Sequence, residues 1–590
     1  MRIKLAAVAM AGAATGTAAL KPPPIAMGLG GRCGSPKDSS SITGKPLPTI
    51  PGTQSFLNLV EAMEDMQKCW FEHSAGTWPT GIDWTRAVMG AHLAATLRVI
   101  SKDYTQHGPY DGNIDNVIGR YFGHLISYYF GEDTFALRGQ AYDDILWVAM
   151  GWLETIQLIN EQPAVVTDQG VEEWYGADWR PTFAHRARIF WELGEKGWDT
   201  TLCGGGMNWN PKLEPYKNAI TNELWISASI GMYHHFPGDN DSSPWRFFDA
   251  KSPKQRVLSR QVLPPSDRVF LESAEKGYKW LLESGMRHWE GMRKDLFADG
   301  FHIGGRKEGN TKCNLLDPMV YTYNQGVILS GLLGLYTATG KEEYLDEGHG
   351  LIRAVIRATG WDIEAQKPIG DISKHGPGRF PPWKGLGRYG ILEEECDLPR
   401  TCNQDSEAFK GILMHHLGTF CAPNSTLDLS GKIENPNQTE YDRLHGKHQV
   451  NCKLYLPWLE HNCKAVLNTR DKYGRFGGWW FPGLLKDTNV RLLYVPPEAI
   501  PPNRGVDDYR NNGVPRNSTM WQLEENVHTE ERGKNHKREN TWPAPTEGFY
   551  ISGEAGAPED PSLWGRGRTL ETQGSAIGLL RAHWLVSQIP

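Results

Sequence analysis

Hydrophobic periodicity constrains the fold of this chain more than any other feature of its sequence. Apolar residues recur at the three-to-four-residue spacing of an α-helix in about a dozen segments, and strand-like alternation is rare. Cap residues such as Asp83, Asp267 and Asp405 mark several helix starts, and glycines mark several ends. The sequence therefore predicts an all-α fold. The predicted helices span residues 56–69, 83–101, 117–130, 144–160, 181–193, 219–235, 267–284, 323–339, 344–359, 405–420, 453–468 and 573–587.

Two of these segments, residues 144–158 and 325–335, are apolar on nearly every side, which is typical of helices in an inner layer. Alternating helices of this number suit a closed ring of α-hairpins, with six inner and six outer helices. A solenoid of helical repeats would use the same segments, but no fixed repeat period relates them. We therefore expect one (α/α)6 barrel over residues 53–590, with long loop insertions near 422–450 and 486–548.

The N-terminus has the pattern of a secretory signal peptide. Arg2 and Lys4 are followed by an apolar run that ends in small residues at Ala19. Residues 20–52, rich in Pro, Gly and Ser, predict a flexible lead-in. Nine cysteines and four glycosylation sequons agree with an oxidising compartment, so we expect a secreted glycoprotein, extracellular or associated with a cell wall. The sequons lie at Asn240, Asn424, Asn437 and Asn517.

Composition and missing motifs narrow the class of function. The net charge is −7 and no basic stripe is present, which argues against a nucleic-acid partner. No stretch is long and apolar enough to predict a membrane span, and a monomer is expected. Motifs for serine hydrolases, phosphate-binding loops and zinc proteases are absent. His445, His448 and Cys452 have roughly metal-ligand spacing, but their loop carries no further ligand pair, so no metal is expected.

Asp143 and Asp144 precede an unbroken apolar run, at the predicted start of a buried helix. Two carboxylates beside a buried segment are costly unless hydrogen bonds, a capping role or chemistry keep them there. One interpretation is a helix cap. The other is a catalytic pair, because retaining glycosidases use carboxyl groups about 5 Å apart, whereas inverting ones need roughly 6.5–9.5 Å. The carboxyl groups of two consecutive residues can lie at the shorter of these two separations.

A second distinctive stretch is Cys-Gly-Gly-Gly-x-x-Trp at 203–209, which leads into Tyr-Lys-Asn-x-Ile-x-Asn at 216–222. The glycines let the backbone approach a ligand closely, and the Lys and amides can hydrogen-bond to hydroxyl groups. The alternative is a tight turn before a well-capped helix. The 23 Trp and 21 Tyr of the chain fill cores or stack on sugar rings, and composition leaves both uses open.

Together with Tyr-Asn-Gln-Gly at 323–326 and Cys-Asn-Gln-Asp at 402–405, these motifs resemble glycoside hydrolase family 76. That family comprises endo-α-1,6-mannanases and related fungal cell-wall transglycosidases. The resemblance implies an (α/α)6 barrel, a retaining mechanism on α-mannan and no cofactor. It implies Asp143 as nucleophile and Asp144 as acid/base. The substrate-binding residues expected beside them are Trp147, Trp209, Tyr216, Lys217, Asn218, Tyr323, Asn324 and Asp405.

Three functions remain as hypotheses. The first is a secreted retaining endo-α-1,6-mannosidase that hydrolyses α-1,6-mannan. The second is a transglycosidase that moves mannose-containing lipid-anchor glycans onto wall polymers. Such enzymes usually keep a C-terminal anchor signal, and residues 576–590 do not resemble one, so hydrolysis is preferred. The third is a non-catalytic carbohydrate-binding wall protein, against which the intact pair Asp143 and Asp144 argues.

Several smaller expectations accompany these hypotheses. A Cys396–Cys402 disulfide is expected, with Cys203–Cys313 and Cys452–Cys463 as further pairings, and nine cysteines leave at least one unpaired. The aromatic residues at 479–481 are expected to border a cleft. The acidic residues at 393–395 are expected to be solvated, with one of them as an alternative sugar ligand.

Overall fold

The secondary structure of the computed structural model is mostly helical, which confirms the predicted all-α class. The structure describes residues 53–107, 112–163, 165–167, 170–239, 263–374, 380–423, 438–485, 560–563 and 566–590. The helices, numbered in chain order, are α1 (Gln54–Trp70), α2 (Asp83–His107), α3 (Gly112–Gly131), α4 (Thr134–Leu137), α5 (Tyr142–Asn160), α6 (Arg180–Glu195), α7 (Ala219–His235), α8 (Arg268–Glu283), α9 (Val327–Thr339), α10 (Glu343–Ala358), α11 (Gln404–Phe420), α12 (Gln438–Lys453), α13 (Leu456–Thr469), α14 (Phe481–Leu485) and α15 (Leu570–Ser587).

The long helices alternate between an inner and an outer ring. Inner helices α2, α5, α7, α9, α11 and α15 each pack against the next, and α15 also packs against α2, which closes the ring. The outer ring surrounds these inner helices, and each of its helices packs against one or two of them. The outer helices are α3, α6, α8, α10, α13 and α1. The predicted (α/α)6 barrel is therefore confirmed.

The two rings differ in how they bury their residues. In α9, nine of the thirteen residues are buried and none is exposed, whereas the outer helix α10 exposes Arg353 and Arg357 on one side. Small residues bring inner helices α11 and α15 together. A Cβ on Gly411 would lie 2.4 Å from the Cα of Ser575, and one on Gly578 would lie 2.4 Å from the carbonyl oxygen of Gly411. This close approach explains why glycines interrupt otherwise apolar inner helices.

The inner helices begin at one common end of the barrel, because an outer helix returns the chain between successive inner ones. Side chains at this end join the helix starts directly. The Trp84 indole of α2 donates to Oδ1 of Asp405 in α11 across 2.9 Å. The Thr85 hydroxyl of α2 donates to Oε1 of Glu571 in α15 across 2.8 Å. The motifs that open α5, α7 and α11 are thereby gathered at one mouth.

The predicted helix caps are partly correct. Asp267 caps α8, since its Oδ1 accepts the backbone N–H of Val269. Asp405 does not cap α11: Asn403 is the cap, its side chain accepting from Ser406 N at 3.0 Å, and Asp405 lies in the first turn.

Strands are short and antiparallel. The sheet that matters for the mouth has the order β3–β4–β5, in which β3 leads directly into α7. The strands are β1 (Val165–Thr167), β2 (Gly170–Glu172), β3 (Tyr216–Asn218), β4 (Gly300–His302), β5 (Leu315–Asp317), β6 (Trp361–Asp362), β7 (Lys367–Pro368), β8 (Gly387–Arg388) and β9 (Ile391–Leu392).

The predicted insertion at 422–450 is wrong in its second half, because residues 438–453 form helix α12. Its buried residues Leu444, His448 and Cys452 recur every fourth position, a stripe too narrow to stand out in a polar sequence. The aromatic residues at 479–481 are all buried, and the indole of Trp479 bonds Glu393, so a cleft beside them stays a prediction.

The expectation of solvated acids at 393–395 is wrong for two of the three. Glu393 accepts from Arg388 and from the indole of Trp479, and both Glu393 and Glu394 are buried. Burial in a folded core raises the pKa of both carboxyl groups, that of Glu394 to about 7.

Disulfides join Cys203 to Cys313, Cys396 to Cys402 and Cys421 to Cys452. The first two pairings were predicted. The Cys452–Cys463 alternative is wrong, because Cys452 meets the end of α11 while Cys463 is a buried free thiol.

Several expectations fall on residues outside the described part of the chain. These are the signal peptide at 1–19, the lead-in at 20–52, the insertion at 486–548 and the four sequon asparagines. Among the described residues, no helix combines the length and the apolar character that a bilayer crossing requires.

Candidate active site

The Asp pair lies in the first turn of inner helix α5. Ala141 is the N-cap residue, so neither Asp143 nor Asp144 holds that position. Asp143 nevertheless accepts a backbone N–H of the first turn, as a capping side chain does, so the capping interpretation stays open beside the catalytic one. Both side chains are buried, with 9% and 5% of their surface exposed. The helix N-terminus favours negative charge here, which offsets part of the cost of burying two carboxylates.

Both oxygens of Asp143 accept hydrogen bonds. Oδ1 accepts from the backbone N–H of Asp144 at 3.0 Å, and Oδ2 accepts from the indole N–H of Trp209 at 3.0 Å. A backbone hydrogen bond joins the same two segments, because Tyr142 N donates to Trp209 O across 2.7 Å. The loop that carries Trp209 is therefore fixed to the helix that carries the Asp pair, as the sequence motifs predicted only in outline.

The glycine loop before Trp209 is shaped by backbone conformations that glycine adopts readily. Gly204, Gly205 and Gly206 all have positive φ. A Cβ on Gly206 would lie 2.5 Å from the ring of Trp280, so no larger residue fits. The Gly206 carbonyl accepts from Nζ of Lys217 at 2.7 Å.

Lys217 is fully buried beneath this loop. Its amino group also lies 3.3 Å from Oδ2 of Asp199, and burial lowers the pKa of Lys217 to about 8. Asn218 caps α7, its side chain accepting from Thr221 N. Both residues thus support the loop and the helix start, and direct sugar binding by Lys217 or Asn218 stays a prediction.

Asp299, which the sequence analysis missed, lies beside Tyr216. The Tyr216 hydroxyl donates to Oδ2 of Asp299 across 2.6 Å, and Nδ2 of Asn324 lies 3.4 Å from Oδ1. Asp299 is half-buried, and burial, with a smaller contribution from the charge of Asp317, raises its pKa to about 6. An Asp-Gly pair at 299–300 is its one local signal, and such pairs are common in turns.

Tyr323 lies at the mouth, near carboxylates from several elements. Burial raises the pKa of its phenol well above the ordinary value, and the nearby charges of Asp299, Asp143 and Asp405 raise it further. Its ring stacks on Phe409 with centroids 3.8 Å apart. Carboxylates from three different elements thus lie near enough to Tyr323 to affect the pKa of its phenol.

The predicted aromatic residue Trp147 lies deeper. It is buried and stacks on Trp84, whose indole bonds Asp405. Trp84 is a second residue that the sequence analysis did not identify, because its pairing with a residue more than 300 positions away leaves no local signal.

The predicted site residues thus separate into two groups by position. Those around the mouth are Asp143, Asp144, Trp209, Tyr216, Tyr323, Asn324 and Asp405. Those behind it are Trp147, Lys217 and Asn218. Substrate binding by any of them remains a prediction.

The histidines considered for a metal site have other roles in this structure. His448 approaches His349 rather than His445, with Nδ1 of His448 2.9 Å from Nε2 of His349. These two and Cys452 place potential donor atoms within 4.8 Å of one another. Cys452, however, is in a disulfide with Cys421 and offers no thiolate. This donor set does not fit a structural zinc site.

Part of the chain matches a known family of proteins. Residues 264–466 match the model of one family. That family is glycosyl hydrolase family 76. The match confirms the resemblance drawn from the motifs, and it covers α8 to α13, whereas the Asp pair of α5 lies upstream of it.

The family 76 relatives include two yeast proteins. The chain is 23% identical over 229 residues to the mannan endo-1,6-α-mannosidase DFG5 of Saccharomyces cerevisiae, covering 38% of this chain and 36% of the relative. It is 22% identical over 242 residues to DCW1 of the same organism, covering 40% of each. The matched region thus spans little more than a third of the length of these relatives.

Solved structures of similar proteins include an α-1,6-mannanase from Salegentibacter sp. HEL1_6 in complex with α-1,6-mannotriose. It has a TM-score of 0.46 and 15% identity, covering 90% of this chain and 100% of that one. Dfg5 from Chaetomium thermophilum in complex with glucosamine has a TM-score of 0.42 and 15% identity, covering 74% and 86%.

Proposed function

We propose that this protein is a secreted, retaining endo-α-1,6-mannosidase that hydrolyses α-1,6-mannan by double displacement. The observation that carries the proposal is the placement of Asp143. It lies at the mouth of the inner ring, beside Asp144, with a donor aimed at each of its oxygens. The substrate follows from the relatives, which are named as mannan endo-1,6-α-mannosidases. Secretion is supported by the disulfides at Cys203–Cys313, Cys396–Cys402 and Cys421–Cys452.

In the first step, an oxygen of Asp143 attacks the anomeric carbon while the bond to the leaving sugar oxygen breaks. Asp144 gives its proton to that oxygen, so the leaving chain departs as an alcohol. In the second step, the Asp144 carboxylate takes a proton from water. The water oxygen then displaces Asp143, which restores both residues and keeps the anomeric configuration.

The two acids need different protonation states at the start. The N–H donors on Asp143 favour its ionised form, since charge-assisted hydrogen bonds stabilise a carboxylate. A charged Asp143 next to Asp144 in turn favours the protonated form of the second acid. The double-displacement proposal requires this division between nucleophile and acid.

The test uses Asp143→Asn and Asp144→Asn with linear α-1,6-mannan as substrate. Each variant is expected to lose at least about 1,000-fold in kcat, since nucleophile and acid/base catalysis are each removed. Melting temperatures are expected to stay within a few degrees, because Asn keeps the size and one acceptor. A variant that unfolds instead, or one that keeps near-normal turnover, would refute the assignment.

The transglycosidase hypothesis differs in the acceptor of the second step. A sugar hydroxyl then replaces water, and Asp144 takes its proton in the same way. Incubation with mannan and an added mannose-containing acceptor distinguishes the two. Shortened chains are expected from hydrolysis, and elongated acceptors would favour transfer.

A further inference from the structure

Backbone hydrogen bonds run without a break from the catalytic helix to an outer strand. Tyr142, in the first turn of α5, donates to Trp209 O, and Trp209 N donates to Tyr216 O across 2.8 Å. Tyr216 of β3 pairs with His302 of β4, and His302 pairs with Leu315 of β5. The three-stranded sheet is therefore a continuation of the candidate active site.

The side chains along this path form a row on one face of the sheet, because directly paired residues point to the same side. The ring of His302 stacks on Tyr216 with centroids 4.3 Å apart and planes 29° apart. Trp209 meets Tyr216 edge to face at 6.3 Å, and its indole bonds Asp143. The inner end of the row thus touches the proposed nucleophile.

The outer part of the row is exposed, whereas its inner end is buried. Tyr216 is 8% exposed, His302 is exposed and Leu315 is 49% exposed. The row therefore leads from a closed site to an open surface. Adjacent strands lie about 4.8 Å apart, so the two steps from β3 to β5 span roughly 10 Å, more than one hexose ring.

The outer strand is held in place rather than left to move. The Cys203–Cys313 disulfide ties the segment before β5 to the glycine loop. Cys203 N also donates to Thr311 O across 2.7 Å, and Gly304 N donates to the side chain of Asn314 across 2.7 Å. A fixed surface loses little conformational entropy on binding a ligand.

We propose that His302 and Leu315 form a distal subsite for further mannosyl units of the same glycan chain. This inference rests on the proposed function and extends it. One sugar presents its C–H face to the His302 imidazole, and the next lies over Leu315. Continuity with the carboxylate end of the row identifies the occupant as substrate rather than another protein.

If the subsite exists, the protein binds longer mannan chains more tightly than short ones. This difference in affinity depends on the side chains on one face of the sheet. Binding of α-1,6-mannobiose and α-1,6-mannohexaose is measured by calorimetry in the Asp143→Asn/Asp144→Asn background, to prevent turnover. Adding His302→Ala or Leu315→Ala is expected to weaken mannohexaose binding about fivefold each, from lost apolar contact, and to leave mannobiose binding unchanged. Leu316→Ala is the matched control: Leu316 is 41% exposed, pairs with Phe301 and points to the opposite face.

The outcomes separate this inference from the proposed function. If the wild-type protein cleaves mannan but His302→Ala and Leu315→Ala leave mannohexaose affinity unchanged, the subsite is refuted and the hydrolase stands. Equal losses for both oligosaccharides, or an equal loss for Leu316→Ala, would also refute it. If mannan is not cleaved but the selective loss occurs, the subsite stands and the hydrolase proposal fails. Absence of mannohexaose binding overturns the subsite, and absence of both mannan cleavage and oligosaccharide binding overturns both proposals.

Discussion

The indole N–H of Trp209 donates to Oδ2 of Asp143 across 3.0 Å, joining residues 66 positions apart. The bond fixes a loop residue to the first turn of an inner helix, beside a parallel backbone link from Tyr142. A donor aimed at a carboxylate stabilises its negative charge and holds its orientation. Under the proposed mechanism, this bond would prepare Asp143 for attack.

Trp209→Phe tests this relationship. Phenylalanine keeps an aromatic ring but removes the N–H, and a hydrogen bond to a charged group contributes about 1.5–3 kcal/mol. We expect kcat/KM on α-1,6-mannan to fall between roughly tenfold and a hundredfold, with little change in melting temperature. Trp289→Phe is the control, since Trp289 is 77% exposed. Equal effects of the two substitutions would contradict the role of the bond.

The raised pKa of Asp299 predicts that the stability of the protein depends on pH. Its pKa is raised from 3.8 to about 6 by burial. The native state therefore holds the Asp299 proton more tightly than the unfolded chain does. This contribution to stability is present below pH about 4 and is lost as the pH rises through 6.

Asp299→Asn removes the titrating group but keeps an acceptor for the Tyr216 hydroxyl, the donor that faces it. We expect the free energy of unfolding of the variant to improve relative to wild type between pH 4 and pH 7, as measured in urea. The change is expected in the difference between the two proteins, because every other ionisable group is common to both. A difference that stays constant over this range would contradict the raised pKa.

The Cys203–Cys313 disulfide closes a loop of 110 residues. Crosslinks of this span typically contribute 2–5 kcal/mol by restricting the unfolded chain, so Cys313→Ser is expected to lower the free energy of unfolding by roughly that amount. Cys463→Ala is the comparison, because this free buried thiol crosslinks nothing. Reducing agent should lower the melting temperature less in Cys313→Ser than in Cys463→Ala, and equal sensitivity of the two would count against the assignment.

Helical periodicity was enough to predict the barrel, because it marks about a dozen helices, and two of the inner segments, residues 144–158 and 325–335, are apolar on nearly all sides. It failed for α12, whose buried stripe of Leu444, His448 and Cys452 is one residue wide in a polar segment. It could not place the aromatic residues at 479–481 either, since core and cleft use the same side chains.

The sequence motifs located the mouth but not the contacts within it. Asp143 and Trp209 stood out because each lies in a distinctive local pattern. Asp299 and Trp84 did not, because their partners Tyr216 and Asp405 come from distant parts of the chain. Lys217 looked like a sugar ligand, yet its amino group bonds the loop backbone, a distinction that requires coordinates.

The most direct test of the double-displacement account is the configuration of the first product formed from α-1,6-mannan. Proton NMR during the first minutes of the reaction, before the anomers interconvert, distinguishes the two forms. Attack by Asp143 followed by attack of water gives two inversions, so the account predicts the α-anomer as the initial product. Initial release of the β-anomer would mean a single displacement by water and would contradict the assignment of Asp143 as nucleophile.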